Sequence, residues 1–475
     1  MVEASSLIGR KRESKGSEGT IECHAPFDGS LLGTAPICGW DEADAAVQAA
    51  LEAFPSWSAT PLRERQGVLA KVVSAIESES EDLARLMAQE VGKPIAWSRA
   101  EVTRLRLTFQ LAVSLLEEVG DERLNLDFDN RGKDYEGTVS RFAVGPLFAI
   151  VPYNWPYNLA AHKLAPALAA GCSVVLKPSP LAPLSTLALA GLVSEAGLPS
   201  GVLNALLCSN ETAERIVKDP RIKMVSFTGS EAVGWHIKSL VPDKRVTLEL
   251  GGDASCIVFD DADLERAASR IAMSGYGYAG QVCISAQHVL VQDGAYSAMR
   301  KHLVAATLAT KTGDPMSEQT VCGPMISADA AERVMAWIEE AEDRGAHVLA
   351  GGNRIGNMVE PTLIEDVPGD CRLATEEAFG PVLTLARFDD EGEAYDAVNR
   401  SRFGIHCSVF TGDAARIERA FSALEVGGVI ANEFPSLRFD NMPYGGEKRS
   451  GFGREGVRYA YEEMTTPKVL LELRR

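Results

Sequence analysis

The sequence has 475 residues, which is too long for a single hydrophobic core and predicts two to four domains or subdomains. Its apolar fraction of 46% and charged fraction of 24% are ordinary for a soluble globular protein. The formal net charge of −19 argues against a nucleic-acid partner, because phosphate backbones are bound by basic surfaces and no basic stripe is present.

The sequence pattern contains no targeting segment, membrane span or metal motif. Charges from Arg10 to Lys15 interrupt the region where a signal peptide would be apolar, and no apolar run reaches the ~18 residues of a membrane span. The cysteines are scattered singly, at positions 23, 38, 172, 208, 256, 283, 322, 371 and 407. An odd, unclustered set favours reduced thiols and argues against a zinc site. We therefore expect a cytoplasmic protein with no membrane partner and no metal.

Short apolar strands alternate with helix-length segments through most of the chain. The first predicted strands are 147–151, 173–177, 202–207 and 224–227, with helical segments at 159–170 and 185–196 between them. The later predicted strands are 255–258, 289–291, 347–350 and 382–386, with a helix at 329–344. This alternation predicts two α/β units with mostly parallel sheets that meet near Gly251-Gly252.

The segment from Leu124 to Phe142 differs from this pattern. It is polar, contains Asp-Asn-Arg-Gly at 129–132, and alternates like a protruding hairpin. The residues from Lys468 to Leu473 predict a further strand. Neither segment has an obvious partner in the core, and an exposed strand edge is either shielded or used for assembly.

Two polar side chains are candidates for acting on a reacting group. Asn154 lies in the loop Val151-Pro-Tyr-Asn-Trp-Pro156, where it is either a turn residue or an amide directed at a developing oxyanion. Glu249 lies in Leu248-Glu-Leu-Gly-Gly252, where apolar neighbours would raise its pKa toward that of a general base. A strand-end glutamate held in a salt bridge is an equal alternative.

Two glycine-containing segments are candidates for binding a dinucleotide. Gly275-Tyr-Gly-Tyr-Ala-Gly280 matches the pattern G-x-G-x-x-G, but it follows a helical segment and so lacks the strand that this pattern requires. Phe227-Thr-Gly-Ser230 follows a predicted strand and precedes a helical segment at 231–240. Gly229 allows close backbone approach there, and Ser230 either binds a phosphate oxygen or is an ordinary helix N-cap.

Cys283, in Ala-Gly-Gln-Val-Cys-Ile-Ser, lies between a helical segment and the strand predicted at 289–291. A single cysteine is more often a small buried apolar residue than a nucleophile, and its local sequence does not decide between the two. His288 follows five residues later, so a thiol hydrolase pair is one alternative.

Seven segments together resemble the motifs of the aldehyde dehydrogenase superfamily, and they occur in the family's order. They are Pro152-Tyr-Asn-Trp-Pro156, Lys177-Pro178, Phe227-Thr-Gly-Ser230, Glu249-Leu-Gly-Gly252, Gly280-Gln-Val-Cys283, Glu377-Ala-Phe-Gly-Pro381 and Pro443-Tyr-Gly-Gly446. The resemblance extends from about Ala25 to the C-terminal strand. It implies two Rossmann-like three-layer α/β domains plus a small β oligomerisation element. The implied boundaries are 1–123 and 144–250 for the cofactor-binding domain, 251–447 for the catalytic domain, and 124–143 with 460–475 for the oligomerisation segments.

The resemblance also implies roles for individual residues. Cys283 would attack the aldehyde carbon, while the Asn154 amide and the Cys283 backbone N–H would hold the oxyanion of the thiohemiacetal. After hydride transfer to NAD or NADP, Glu249 would activate the water that hydrolyses the thioester. Family members that pass the acyl group to coenzyme A generally lack this glutamate, so its presence favours hydrolysis. The implied cofactor-binding residues are Tyr153, Lys177, Ser179, Pro180, Gly229, Ser230, Gly251, Glu377 and Phe379.

Three departures from the family pattern affect these expectations. Pro180 stands where many NAD-preferring members have a glutamate that accepts from the ribose 2′-OH, so NAD and NADP are both retained as cofactors. Ser255 stands where proline is frequent, which predicts a different local loop. Trp155 and His162 fall in the stretch that lines the family's substrate tunnel, and neither is the commonest residue there.

The sequence around Cys283 and the ending from Met442 resemble the subgroup that oxidises lactaldehyde, glycolaldehyde, phosphonoacetaldehyde and related small aldehydes. The predicted substrate residues are Trp155, His162, Arg438 and Tyr444. Our hypothesis is that His162 and Arg438 make the tunnel polar or cationic, for a small hydroxylated or anionic aldehyde. The alternative is that His162 is a packed helix residue and Arg438 a solvated loop residue.

The leading prediction is NAD(P)-dependent oxidation of an aldehyde to its carboxylic acid by a homodimer or homotetramer. A thioester or ester hydrolase that uses Cys283 with Glu249 or His288 is one alternative. A non-enzymatic scaffold of the same fold is another, although every residue with a chemical role in the family is present.

Overall fold

The computed structural model describes residues 1–474, so Arg475, the last residue of the predicted oligomerisation segment, lies outside the described residues. Within residues 1–474, no helix is both long and apolar enough to cross a membrane. The same residues contain no group of three or more His, Cys, Asp or Glu side chains that could hold a metal ion. Three sheets organise the chain around the candidate site: one of eight strands, one of seven and one of three.

The eight-stranded sheet is built mostly from the first half of the chain. Its strands, in spatial order, are Gly451–Phe452, Arg245–Glu249, Met224–Thr228, Leu147–Ile150, Val174–Lys177, Leu203–Ala205, Ser6–Ile8 and Lys11–Glu13. The five strands from Arg245–Glu249 to Leu203–Ala205 run parallel, and the outer ones are antiparallel. Its helices are Trp40–Ser58, Leu62–Ser78, Ser80–Val91, Ile95–Glu118, Pro156–Ala170, Pro183–Glu195, Asn210–Lys218 and Glu231–Leu240. A small sheet joins Val2–Glu3, Thr20–His24, Leu31–Cys38 and Leu207–Cys208.

The seven-stranded sheet is built from the second half. Its strands, in spatial order, are His347–Ala350, Thr362–Glu365, Val382–Phe388, His288–Gln292, Ser255–Val258, His406–Phe410 and Gly428–Ala431. All neighbours are parallel except the first pair. The helices of this half are Leu264–Tyr276, Asp293–Ala309, Ala328–Asp343, Arg372–Thr375, Glu391–Arg400, Ala414–Ala423 and Val457–Glu463, and a two-stranded ribbon pairs Arg354–Ile355 with Met358–Val359.

The predicted α/β class is confirmed, because both large sheets are mainly parallel and are connected through helices. Their central strands are buried on both faces, which explains why they appear in the sequence as unbroken apolar runs. One predicted strand is wrong. The segment 202–207 divides into Leu203–Ala205 and Leu207–Cys208, which belong to different sheets, and the Leu206 N–H between them bonds the carbonyl of Leu176.

The helix Pro156–Ala170 is buried along its whole length and carries the loop of Asn154 at its N-terminal end. Proline at the first position suits the fixed φ of a helix start, and Gly171 ends the helix in the left-handed conformation with φ +91°. The buried carboxylate of Glu101 accepts hydrogen bonds from the backbone N–H groups of Tyr157 and Asn158, at 2.9 and 3.0 Å. These bonds satisfy donors that a helix N-terminus leaves free, and they fix the loop before it.

The two segments without an obvious core partner pair with each other. The strand Tyr135–Ala143 lies between Glu122–Leu124 and Thr465–Leu473 in an antiparallel sheet, with Thr465 opposite Ala143 and Leu473 opposite Tyr135. Successive side chains of a strand point to opposite faces, yet Val469, Leu470 and Leu471 are all more than half exposed. Both faces of this sheet are therefore open along the C-terminal strand.

Candidate active site

Cys283 is half-buried, while the other eight cysteines are buried, and all nine are free thiols. It follows a turn in which Tyr278, Ala279 and Gly280 adopt left-handed conformations with φ values of +52°, +53° and +66°. A side chain at Gly280 would lie 2.2 Å from the carbonyl oxygen of Gly380, so only glycine fits there. The segment 275–280 thus ends a helix and leads into Cys283. It does not follow a strand, as the dinucleotide pattern would require.

The electrostatic surroundings of the Cys283 sulfur oppose its ionisation in this conformation. Burial raises the pKa of the Cys283 thiol to about 12, a hydrogen bond from Tyr444 lowers it, and the carboxyl groups of Glu377 and Glu249 raise it further. The charge of Arg438 acts in the opposite direction to the two carboxyls. Formation of the thiolate therefore depends on groups that stabilise negative charge on sulfur.

Asn154 is buried beside the cysteine segment. Its side-chain amide donates a hydrogen bond of 2.9 Å to the backbone carbonyl of Gln281, two residues before Cys283. The Gln281 side chain in turn accepts from the Tyr153 hydroxyl at 3.2 Å and from the backbone N–H of Ile326 at 2.9 Å. Because an amide nitrogen carries two hydrogens, Asn154 keeps one donor free for an oxyanion.

Glu249 ends the strand Arg245–Glu249 and is 2% exposed. Neither of its carboxylate oxygens has a hydrogen-bond partner among the described residues, so the salt-bridge alternative is wrong. Burial raises the pKa of Glu249 well above its ordinary value, and the nearby charge of Glu455 raises it further, while Arg438 and Lys163 oppose the shift. A buried carboxyl with free oxygens has the properties of a proton acceptor for a water that enters the site.

A buried ion-pair cluster lies beside Glu249. Lys163 Nζ is 2.8 Å from Glu455 Oε1 and 3.0 Å from the Ser226 hydroxyl, and Arg438 Nη2 is 3.5 Å from Glu455 Oε2. Although burial acts in the opposite direction, Lys163 and Arg438 lower the pKa of Glu455 to about 2. Glu455 is therefore ionised at neutral pH, whereas the raised pKa of Glu249 favours its neutral form.

Tyr444 lies between this cluster and the nucleophile. Its hydroxyl oxygen is 3.0 Å from Cys283 Sγ, and the Arg438 guanidinium lies 3.6 Å from the centre of its ring. Burial raises the pKa of Tyr444 well above its ordinary value, so the phenol keeps its proton. The structure thus places Tyr444, predicted only as a substrate residue, in contact with the Cys283 sulfur.

His162 is fully buried and bonds Asp440 through Nε2 at 2.9 Å. Burial and the charge of Arg438 lower the pKa of His162 to about 4, so it is neutral at neutral pH. The expected cationic contribution of His162 is therefore wrong, and its packing in a helix agrees with the alternative. The cation that shares Asp440 is Arg104, with Nη2 2.5 Å from Oδ1.

Arg438 is 5% exposed along its side chain, so the expectation of a solvated loop residue is wrong. Its Nε and Nη2 atoms are buried without a hydrogen-bond partner among residues 1–474. Trp155 has a buried, unpartnered Nε1 as well, and the Lys93 ammonium lies 3.8 Å from the centre of its ring. Unpaired buried donors are unfavourable unless a ligand or water satisfies them, so these atoms are available to a polar ligand or to water.

Ser230, the predicted pyrophosphate contact, lies at the start of a helix. Ser230 occupies the N-cap position of the helix Glu231–Leu240, but its side chain is exposed and makes no capping hydrogen bond. The Gly229 backbone N–H, by contrast, already donates to the carbonyl oxygen of Glu249 at 3.0 Å. The free Ser230 hydroxyl and the helix N-terminus fit a phosphate group.

Lys177 and Glu377 are the residues predicted to contact the two riboses. Lys177 is buried and its ammonium has one long contact, 3.5 Å to the carbonyl oxygen of Pro178, while Pro180 is exposed. Glu377 Oε1 accepts a hydrogen bond from the Gly252 backbone N–H at 3.1 Å, and burial raises the pKa of Glu377 to about 8. The Lys177 ammonium is buried with a single long contact, and the Glu377 carboxyl faces the pair Gly251-Gly252. Both groups could bind the hydroxyl groups of a ribose.

Three further predicted cofactor residues have structural partners. A side chain at Gly251 would lie 2.4 Å from Glu377 Oε2, so the Glu377 carboxyl would have to move to admit one. Phe379 has φ +43°, and its ring packs edge-on against Tyr153 with ring centres 6.2 Å apart. The Ser179 hydroxyl accepts from the backbone N–H of Leu181 at 3.2 Å, which shapes the turn after Lys177.

His288 does not pair with the nucleophile. Its Nδ1 atom lies 2.8 Å from the Thr384 hydroxyl, and its Nε2 atom is 3.8 Å from Asp253 Oδ2. Burial lowers the pKa of His288, and the carboxylate of Asp253 opposes that shift. The hydrolase alternative that relied on a Cys283–His288 pair therefore has no geometric support.

Comparison with known proteins decides the family. The model of the aldehyde dehydrogenase family matches residues 12–470. The chain belongs to the aldehyde dehydrogenase family. Its relatives include 3-sulfolactaldehyde dehydrogenase of Priestia aryabhattai, which is 40% identical over 91% of this chain and 90% of that protein.

Solved aldehyde dehydrogenases superpose closely on this one. Aldehyde dehydrogenase 21 of Physcomitrella patens, in complex with the reaction product succinate, is 39% identical with a TM-score of 0.96, covering 99% of this chain and 98% of that chain. The NADP-dependent glyceraldehyde-3-phosphate dehydrogenase of Bacillus halodurans, complexed with NADP, is 32% identical with a TM-score of 0.97 and covers 100% of both chains. The predicted family, fold, enzyme class and NAD or NADP cofactor are thereby confirmed.

Several residues of this aldehyde dehydrogenase site were missed in the sequence. Lys163 and Glu455 are 292 positions apart, and Arg104 and Asp440 are 336 apart, so their pairing cannot be inferred from local pattern. A signal was nevertheless present for Lys163. It is the one lysine in the apolar segment 156–170, and a charged residue on an otherwise buried helix must have a buried partner.

Proposed function

We propose that this aldehyde dehydrogenase oxidises a small aldehyde with an anionic group to its carboxylic acid, through a covalent intermediate on Cys283. The observation that carries the substrate class is the group of cations near Glu249 and Cys283, of which Lys163 and Arg438 are buried. Three cations, Arg104, Lys163 and Arg438, face two ionised carboxylates, Glu455 and Asp440. Burial raises the pKa of Glu249 well above its ordinary value and lowers that of His162 to about 4, and both shifts favour the neutral form.

Among these three cations of the described residues, Arg438 is the one with unpartnered buried donors. Arg104 uses Nε and Nη2 on Asp440, and Lys163 is bonded to Glu455, whereas Arg438 holds Glu455 only at 3.5 Å. A buried guanidinium attracts an anion strongly, because water does not screen it. Relatives named for succinate semialdehyde, glutarate semialdehyde and 3-sulfolactaldehyde, all with an anionic group, support this class.

The chemistry that we propose begins with attack of the Cys283 thiolate on the aldehyde carbon. The carbon–sulfur bond forms as the carbonyl π electrons move to oxygen, and Asn154 with the Cys283 backbone N–H would stabilise the resulting oxyanion. The nicotinamide, when bound, supplies the hydride acceptor. Lys177, Ser230 and Glu377 would hold the dinucleotide so that its reactive ring lies near the sulfur.

Hydrolysis of the thioester is assigned to Glu249. Its free, buried oxygens can take a proton from a water molecule, which makes that water a nucleophile toward the acyl carbon. The acyl carbon–sulfur bond then breaks, the acid leaves, and sulfur regains its thiolate form. Because the pKa of Glu249 is raised, the deprotonated form that does this work becomes more populated as pH rises.

The test of the proposed function is a panel of paired aldehydes assayed by absorbance of reduced nicotinamide, with NAD and NADP in separate series. We expect kcat/KM to be about tenfold or more higher for succinate semialdehyde than for butanal of equal chain length, as one charge-assisted hydrogen bond implies. We expect both cofactors to support turnover, since Pro180 supplies no carboxylate to repel a 2′-phosphate. Equal kcat/KM for charged and uncharged members would contradict the proposed substrate class.

Replacing Arg438 with glutamine tests the recognition directly. We expect KM for anionic aldehydes to rise about 10- to 100-fold, the loss of one charge-assisted hydrogen bond, with a smaller change for uncharged ones. Steady-state kinetics with both members of each pair measure the difference. Arg344→Gln removes an exposed guanidinium elsewhere and should leave both constants unchanged. An equal rise in KM for charged and uncharged aldehydes would argue that Arg438 only supports packing.

We propose a homodimer or pair of dimers assembled through the three-stranded sheet. A sheet of this size with open faces is not stable alone, and Val469, Leu470, Leu471 and Leu473 are 55–64% exposed.

The domain boundaries 1–123 with 144–250, 251–447, and 124–143 with 460–475 remain our proposal. A cytoplasmic location is supported by nine free cysteines.

Replacing Leu470 with aspartate tests the assembly. A charge on a strand that assembly would bury is strongly unfavourable. We therefore expect the variant to be monomeric at micromolar concentration by light scattering. Leu308→Asp is the matched control, because Leu308 is 70% exposed on a helix away from this sheet. A monomeric unmodified protein, or an assembly unaffected by Leu470→Asp, would rule out this surface.

A further inference from the structure

We infer that Tyr444 is a further catalytic residue, whose hydroxyl donates a hydrogen bond to the Cys283 sulfur and so stabilises the thiolate that attacks the aldehyde. This inference rests on the proposed role of Cys283 as nucleophile. It goes beyond the sequence expectation, in which Tyr444 only lines the substrate site.

The contact itself is direct and buried. The Tyr444 hydroxyl oxygen lies 3.0 Å from Cys283 Sγ, which is short for a hydrogen bond to sulfur, and Tyr444 is 3% exposed. Among residues 1–474 it makes the one side-chain hydrogen bond recorded for that sulfur. The other ionisable groups facing the sulfur are Glu377, Glu249 and Arg438, and the two carboxyls oppose negative charge there.

The direction of the hydrogen bond follows from the chemistry of the two groups. A thiolate can only accept, and a phenol whose pKa lies well above its ordinary value remains a donor throughout the working pH range. The bond is also strongest when the sulfur is charged, because charge-assisted hydrogen bonds exceed neutral ones. Tyr444 therefore stabilises the thiolate more than the thiol.

The Tyr444 ring is clamped in an orientation that aims its hydroxyl at the sulfur. The Arg438 guanidinium lies 3.6 Å from the ring centre, and the His406 ring packs edge-on at 5.5 Å between centres. His406 is fixed in turn by a 2.7 Å hydrogen bond to the carbonyl oxygen of Pro435. A cation on the ring face withdraws electron density from the phenol, which makes its O–H a better donor.

The experiment is Tyr444→Phe, which removes the hydroxyl and keeps the ring that Arg438 and His406 clamp. The rate of alkylation of Cys283 by iodoacetamide is measured against pH in the full-length protein, with the Cys283 peptide quantified by mass spectrometry. Because burial raises the pKa of Cys283 to about 12, the rates are compared at fixed pH values below it. There we expect alkylation to fall roughly tenfold, which is equivalent to a midpoint higher by about one pH unit. We also expect the first-turnover rate of reduced nicotinamide to fall while KM changes little.

Tyr395→Phe is the matched control, since the Tyr395 hydroxyl is buried without a hydrogen-bond partner and lies outside the site. Its midpoint should equal that of the unmodified protein. An unchanged or lower midpoint in a folded Tyr444→Phe protein would overturn the inference. Failure of the proposed function is distinguishable from failure of this inference. If turnover survives in Cys283→Ala, Cys283 is not the nucleophile. Alkylation of Cys283 in the unmodified and Tyr444→Phe proteins still tests the hydrogen bond from Tyr444.

Discussion

Replacing Cys283 with alanine is expected to abolish aldehyde oxidation, with kcat/KM falling by at least about 10⁴-fold for every substrate and both cofactors. The physical reason is that covalent capture divides the reaction into two accessible steps, and alanine offers no nucleophile. Reduced nicotinamide formation measures the loss. Dinucleotide binding should persist, because Lys177, Ser230 and Glu377 are untouched, and fluorescence titration with the reduced cofactor can confirm that.

The control for this variant is a cysteine removed elsewhere. Cys23→Ala deletes a thiol that is buried outside the site, so turnover should be retained. Steady oxidation by the Cys283→Ala protein would mean that another group accepts the aldehyde. Equal losses in both variants would instead point to a general effect on folding.

Replacing Glu249 with glutamine should uncouple the two half-reactions. We expect a burst of reduced nicotinamide that approaches one equivalent per active site, followed by steady turnover reduced about 10²- to 10⁴-fold, the usual contribution of a general base. The acyl group should then remain attached to Cys283, where a mass increase of the intact protein detects it. Rapid-mixing absorbance separates the burst from the steady phase.

The pH dependence provides a second check on the same residue. Burial raises the pKa of Glu249 well above its ordinary value, so in the unmodified protein the rate of thioester hydrolysis should increase as pH rises through that pKa. Glutamine cannot titrate, so this dependence should disappear in Glu249→Gln. The exposed Glu339→Gln is the matched control and should retain the profile. Full steady turnover in Glu249→Gln would end its assignment as the base.

Local pattern predicted most of the fold because the governing signals are local. The strands Ser255–Val258 and His347–Ala350 and the helix Glu231–Leu240 have the predicted bounds, since glycine, proline and polar residues delimit them. The segment 202–207 failed for the opposite reason. Its apolar run is continuous, and only tertiary hydrogen bonding divides it between two sheets.

For the candidate site, the sequence predicted the identities of the main residues but not the charges of the groups around them. Cys283, Glu249 and Asn154 were identified through motif order, and the structure brings all three to one region. The charges of their neighbours could not be obtained from sequence, because the low pKa of His162 results from burial, and the Arg438 side chain is kept from water only by packing. Electrostatic character depends on desolvation, which is a property of the packed molecule.

The left-handed turn before Cys283 restricts how this active site can diversify. Tyr278 and Ala279 hold positive φ angles, and the Gly380 carbonyl excludes any side chain at Gly280, so substitutions there would displace the nucleophile itself. New substrate ranges must therefore arise elsewhere, in the loop of Trp155 and in the 438–444 segment. A library for directed evolution would best randomise those two loops and leave the turn unchanged.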